Sequence, residues 1–266
     1  MSGVDSETVY LMYHELEVPG RPLCQSEPGY VRYIVRESSF REQMQLLKVA
    51  GFQGLSVSDA LVARRDKAVA ITFDDGCETD LLVVAPILKE INFGATSYIT
   101  TGFIGMPGYL SPPQLRQLGA YGIEIGCHSM SHAYLTDLDE TGLCREIKEA
   151  KDRLEQIAGC SVSHFSCPGG RWNTRAAEVA REAGYQSVAT SRISANSSST
   201  DLYCLSRVAI MRGTNRAIFS NIIRGRQLWR LRLPDLARAT VKRVAGNSAY
   251  DHLRAFLLRR SFKRRE

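Results

Sequence analysis

Short β-rich apolar runs alternate with helical patterns as far as about residue 224. This alternation narrows the fold more than any other feature of the 266-residue chain. Strands are expected over residues 9–13, 68–73, 95–99, 122–127, 163–166 and 186–190, with another near 205–210. Between them the spacing predicts helices over 40–48 (N-capped by Ser39 and ended at Gly51), 58–65 and 79–91. Others are expected from Ser111-Pro112-Pro113, over 139–158 and 174–183, and from Thr214. About seven strands with intervening helices fit an α/β fold with a parallel barrel better than an open two-faced sheet. Ligands in such folds collect beyond the C-terminal ends of the strands. Asp74, Asp75, His128 and Pro168-Gly169 all fall there.

Composition bears on what kind of protein this is. Apolar residues make up 44% and charged residues 23%, an ordinary soluble globular balance, and no stretch approaches the ~18 apolar residues of a membrane span. The first seven residues carry two acids and no base, so they do not read as a secretory signal. The seven cysteines (24, 77, 127, 144, 160, 167 and 204) are scattered without a C-x-x-C pair. Reduced thiols in a cytoplasmic protein are expected, and neither a structural zinc cluster nor a thioredoxin-like site. Charge is unevenly placed: residues 224–266 hold 13 Lys/Arg against 3 Asp/Glu. In a chain of net charge +6, that surplus of ten leaves the first 223 residues at −4.

Two clusters carry the chemistry. Asp74 and Asp75 leave an expected strand side by side, so their carboxylates point apart; one can ligate a cation while the other stays free as a base. Gly76 permits the sharp exit that such a turn needs. The plainer reading is a pair that caps the next helix. His128 and His132 are four residues apart, which brings both imidazoles to one side of a helical turn, or of a loop curled like one. Two neutral imidazoles and one carboxylate make a three-ligand zinc-type site with a position left open. The alternative is a pair of solvated or core histidines.

Thr72-Phe73-Asp74-Asp75-Gly76, then His128-Ser129-Met130-Ser131-His132, then Phe165-Ser166-Cys167-Pro168-Gly169-Gly170-Arg171-Trp172-Asn173, resembles the polysaccharide deacetylases of the NodB homology type, carbohydrate esterase family 4. The resemblance spans about residues 8–224 and implies a distorted (β/α) barrel of about seven strands. It implies Asp75, His128 and His132 as metal ligands, a divalent ion (zinc first) as cofactor, and Asp74 as general base. It also implies the backbone N–H of Gly169 as a donor to the oxyanion. Two features depart from many relatives. A late Leu-x-His is missing, the comparable segment reading Leu205-Ser206-Arg207-Val208-Ala209, and the Arg that tethers the base is replaced by Ser166. Both departures are shared with the poly-N-acetylglucosamine deacetylase branch, whose Tyr-His after the first strand is matched by Tyr13-His14.

His14 is accordingly expected to be the general acid; its ordinary pKa suits proton donation near neutrality. The alternative is a His packed on a neighbouring loop. Trp172 is a candidate to stack on a sugar ring and Arg171 to meet an acidic substrate group, against helix-start packing and a solvated charge. Cys77, Cys127 and Cys167 border the motifs and read as small buried thiols, with a thiolate ligand as the alternative. The expected activity is metal-dependent N-deacetylation of N-acetylated sugars in a polysaccharide or lipid-linked glycan precursor. Its rivals are an O-acetyl esterase and a catalytically silent glycan-binding module. Residues 1–224 form the expected deacetylase domain and 225–266 a basic helical extension. That extension suits either peripheral contact with the inner face of a membrane or packing on the barrel with an Arg-rich face in solvent. Nothing resembles a base-reading module, so no nucleic-acid partner is expected.

Overall fold

The computed structural model describes residues 7–63 and 66–232. The expected basic extension beyond 232, with its helical pattern over 236–244, lies outside the described residues, as does the expected end of the short helix at Arg65. The strands are β1 (Val9–Tyr13), β2 (Leu16–Glu17), β3 (Val35–Arg36), β4 (Gln53–Leu55), β5 (Ala68–Asp75), β6 (Ala95–Ile99), β7 (Ile123–Cys127), β8 (His164–Ser166), β9 (Ser187–Ala189) and β10 (Val208–Ala209). Seven of them form one path, β10-β1-β5-β6-β7-β8-β9, in which every pairing is parallel.

The centre of that path is β5, and all eight of its residues are buried. An apolar run covered on both faces is what a parallel sheet between helices requires. Along one edge β5 pairs with β1; along the other it is shared. There β4 pairs with Ala68–Ala70, and β6 takes over from Thr72 to Asp75. The sheet curls, and residues 205–209 draw its ends together: Leu205 bridges in parallel to Ala189, while Val208 and Ala209 pair with Leu11 and Met12 of β1. This is the expected distorted parallel barrel, a curled sheet whose closure rests on one short stretch.

Helices pack their apolar stripes on the sheet. Phe40, Met44 and Leu47 of helix Glu37–Val49 are buried, as are Leu115 and Leu118 of Pro112–Ala120 and Ala176, Ala177 and Ala180 of Thr174–Glu182. Ser111 and Gln114 form the capping box that the Ser-Pro-Pro start suggests. Asn173 caps the following helix by accepting from the Ala176 N–H. Ser39 does not cap: the helix begins two residues earlier at Glu37, directly from β3, with Arg41 paired to Glu37 at 3.0 Å. The short helix is Val57–Val62, capped by Ser56 rather than opening at Ser58. The ladder β2–β3 and strand β4 have no counterpart among the expected elements, because two or three residues are too few to show a period.

Two expected helices, 79–91 and 139–158, are continuous but widened. Each contains a π turn, Asp80–Val84 and Arg145–Glu149. Both turns lie against the strand ends that carry the candidate chemistry.

Candidate active site

Strand β5 delivers both aspartates. Asp74 and Asp75 are its last two residues and are 3% and 4% exposed. Asp75 takes a left-handed backbone (φ 82°), so the chain leaves the sheet sharply and Gly76 follows at φ 80°. His128 follows β7 directly, its N–H donating to the Ile99 carbonyl at 2.8 Å. The chain from 128 to 132 is a curled loop, not a helix: Ser129 and His132 both have positive φ, 69° and 61°. Glu146, on the widened turn Arg145–Glu149, holds this loop by accepting from the Met130 N–H at 3.0 Å, the Ser131 N–H at 2.8 Å and the Ser131 hydroxyl at 2.6 Å. The N–H groups of Thr101 and Gly102 donate to the carbonyls of Ser129 and Met130.

The loop brings the two imidazoles to one carboxylate. His128 Nε2 lies 3.6 Å and His132 Nε2 3.5 Å from Asp75 Oδ1. That oxygen is buried and has no hydrogen-bond partner among the described residues. A buried acceptor without a donor is costly, and a cation removes the cost. The nitrogens have the form that a cation needs. His128 Nδ1 lies 2.8 Å from the Ser166 carbonyl, so it carries the proton and leaves Nε2 with a free lone pair. Burial pushes the pKa of His128 down to about 3 and lowers that of His132, so both rings are neutral at ordinary pH. Burial also lifts Asp75 to about 6, against the opposing pull of His14. One carboxylate and two neutral imidazoles, their ligand atoms within 4.8 Å of one another, fit a divalent cation.

Asp74 stands in a different environment. Arg207, fully buried, meets it side-on, with Nη1 to Oδ1 at 2.7 Å and Nη2 to Oδ2 at 2.8 Å. The rest of the guanidinium is also used: Nη1 donates to Thr72 Oγ1 at 3.2 Å, Nη2 to Ser166 Oγ at 2.7 Å, and Nε to the Thr190 carbonyl at 3.0 Å. Burial alone would raise the Asp74 pKa, but the Arg207 guanidinium, helped by His128, holds it well below the carboxylate range. Arg207 is the residue that sequence reasoning passed over. It supplies, from the segment beside β10, the cation that Ser166 cannot. A lone arginine in the apolar run 205–210 was the available signal.

His14 leaves β1 beside this cluster. Its ring packs on Tyr33 at 5.0 Å and edge-on to Tyr30 at 6.4 Å, and its Nδ1 is buried with no partner among the described residues. Burial lowers its pKa, while Asp75 and Asp74 pull it back up. Gly169 sits in the turn Pro168–Gly170 at φ 60°, where a Cβ would come within 2.8 Å of Tyr134. Arg171 and Trp172 engage their own surroundings. The Arg171 guanidinium lies 3.5 Å over the Tyr134 ring and 3.5 Å from Asp137. The Trp172 indole N–H donates to the Tyr203 carbonyl at 2.6 Å, with Arg192 over its ring. Cys77, Cys127 and Cys167 are buried free thiols, as expected.

Residues 62–188, which include the aspartates, both imidazoles and the Pro-Gly-Gly turn, match the family model for polysaccharide deacetylase. The likeness is to the polysaccharide deacetylase family, over a little under half of the chain. That family is one of amide-hydrolysing enzymes. It is 28% identical over 195 residues to the YxkH protein of Bacillus subtilis (strain 168), provisionally named a polysaccharide deacetylase; the match covers 71% of this chain and 70% of that one. It is 33% identical over 128 residues to a peptidoglycan-N-acetylglucosamine deacetylase of Bacillus cereus, which covers 48% of this chain and 58% of that one. The fold is that of the Streptococcus pyogenes deacetylase PplD, solved with acetate. The TM-score is 0.73 at 24% identity, over 83% of this chain and 99% of that one. Within the polysaccharide deacetylase family, a glycan is the substrate class.

Proposed function

We propose that this protein is a metal-dependent N-deacetylase that hydrolyses the acetamide of an N-acetylated sugar within a glycan. The observation that supports it best is the division of labour between the two aspartates. Asp75 turns an unpartnered oxygen toward two imidazole lone pairs, while Asp74 is kept ionised and oriented by Arg207. A binding-only site has no use for a second, separately held carboxylate.

Asp75, His128 and His132 would hold the cation, zinc by preference from the donor set. When bound, it supplies Lewis acidity toward the acetyl carbonyl and toward water. The rest falls to the chain itself. Asp74 accepts the proton of the attacking water through a lone pair that Arg207 leaves free. The strong pairing makes Asp74 a weak base, so Arg207 trades basicity for orientation. His14 gives a proton to the leaving amine. It must be recharged on substrate binding, because burial keeps it neutral beforehand. The N–H of Gly169 is proposed to donate to the oxyanion, held by a turn whose left-handed backbone and closeness to Tyr134 favour glycine. The two aspartates, His14 and the relative that acts on N-acetylglucosamine in peptidoglycan favour an amide over an ester, since a leaving amine needs the acid more than an alcohol does.

Acetate release from N-acetylated and O-acetylated glycans by metal-loaded protein tests this reading. Asp74→Asn should lose about 10²- to 10⁴-fold in turnover with metal content retained. His14→Ala should lose more on amides than on activated esters. Release from esters alone, or an active Asp74→Asn enzyme, would reject the proposal.

A further inference from the structure

A second cluster of metal-ligating side chains lies beside the first and shares none of its residues. Glu15, Cys24 and Cys77 offer a carboxylate and two sulfurs whose ligand atoms all lie within 4.8 Å of one another. The two free thiols are 3.6 Å apart. Two sulfurs at about 2.3 Å from a tetrahedral ion stand about 3.8 Å apart, so the pair is already at the spacing of a bound cation. A disulfide would need them ~1.5 Å closer.

Further observations point to a cation at this place. Glu15 is 1% exposed, yet no Lys or Arg lies within ion-pair distance of it among the described residues. Buried carboxylates are ordinarily paired. Its oxygens accept the Cys24 N–H, at 3.1 and 3.0 Å, and the Cys24 thiol and the Tyr30 hydroxyl also bond to it, with Arg21 acting from farther away, so the carboxylate is turned toward Cys24. Room has been kept for the Cys24 sulfur: at Gly108 a Cβ would come within 2.7 Å of it. Tyr30 reaches Cys77 Sγ at 3.5 Å, the kind of contact that steadies a thiolate ligand. Cys24 is only half-buried, which gives an ion a way in.

We propose that Glu15, Cys24 and Cys77 form a second metal site, selective for a thiophilic divalent cation such as Zn²⁺. On binding, the two thiols release their protons to solvent, two sulfur–metal bonds form, and the cation compensates the charge of Glu15. The site ties the segment bearing Cys24 to the strand end that carries Asp75. The same segment carries Tyr30 and Tyr33, which wall His14. Its occupancy therefore holds one wall of the catalytic cleft. It stands whether or not the proposed N-deacetylase activity does.

Cobalt(II) loading of phosphine-reduced protein reads the site directly, because thiolate–cobalt charge-transfer absorption arises from sulfur ligands and not from Asp75, His128 and His132. The full chain should take up two Co²⁺ and show those bands. Cys24→Ser, a change on a half-buried loop, should take up one and lose them. Asp75→Asn should lose the other equivalent and keep the bands. Cys77→Ser should behave as Cys24→Ser, but it is buried and so serves only as a second variant. One Co²⁺ per reduced chain without thiolate bands, or bands that survive Cys24→Ser, overturns the proposal.

Discussion

Arg207 decides what Asp74 can be. A carboxylate 3% exposed stays ionised only if a charge of opposite sign sits against it, and the side-on guanidinium does so with five hydrogen bonds and no polar atom left over. Removing it leaves an unpaired buried charge, so Arg207→Ala should cost about 3–5 kcal/mol of stability, read by denaturant titration. Arg207→Lys keeps the charge but cannot bridge both oxygens. It should fold better than the alanine variant while turnover falls on the order of 10²-fold, as expected when a reacting group loses its orientation. A lysine variant with full activity would show that charge, and not orientation, is what Asp74 requires.

At the scale of elements, the two imidazoles proposed as metal ligands are placed by a loop whose own bond, from the His132 N–H to Ser129 Oγ at 3.0 Å, is supplemented from outside. With Ser129 and His132 both in left-handed conformations, the 128–132 segment depends on its neighbours, and Glu146 is the chief of these. The widened turn Arg145–Glu149 brings that carboxylate to two backbone N–H groups and one hydroxyl. Glu146→Ala should weaken metal affinity by about 10- to 100-fold in chelator competition, with the far-UV spectrum unchanged. Unaltered affinity would show that the loop keeps its shape without it. A comparable polar clasp lies under β6, β7 and β8. Glu124 accepts from Thr96 Oγ1 at 2.5 Å and from the N–H groups of Val57 and Ser58 at 3.1 and 3.3 Å, and lies 3.4 Å from His164 Nε2. Burial would raise the Glu124 pKa, but the bond with His164, with those of Ser58 and Thr96, brings it down to about 2. A carboxylate with a depressed folded pKa stabilises above its unfolded pKa, ~4.3, and stops doing so as pH falls toward the folded one. Thermal melts should therefore fall between about pH 4.5 and 2, and the gap between wild type and Glu124→Gln should close over that interval. A gap that stays constant with pH would remove Glu124 as its source.

For the whole molecule, the unbalanced charge of the chain calls for a test of its own. Leu228 is 7% exposed and part of the core, so a cut after Arg232 spares the described body. If the Arg-rich segment beyond it meets an anionic membrane, only the full chain should co-sediment with anionic vesicles at low salt. Equal, negligible binding by both would discard that idea. No described helix is long and apolar enough to cross a membrane. Periodicity and end signals made the strand–helix order, the parallel sheet and the strand-end position of Asp74, Asp75 and His128 legible, because these are written in local spacing. The shared edge of β5, the two-residue ladder and the widened turns carry no such period and could not be read. Long-range partnership was equally silent. Arg207 meets Asp74 across 133 positions and Cys24 meets Cys77 across 53, and composition does not say which distant side chains a curled sheet will bring together. The sequence by itself thus determined the candidate ligand types and the strand ends near which they lie. Only the tertiary structure decided which charge balances which, because a pKa or a cation site depends on distances between residues that the chain order leaves far apart.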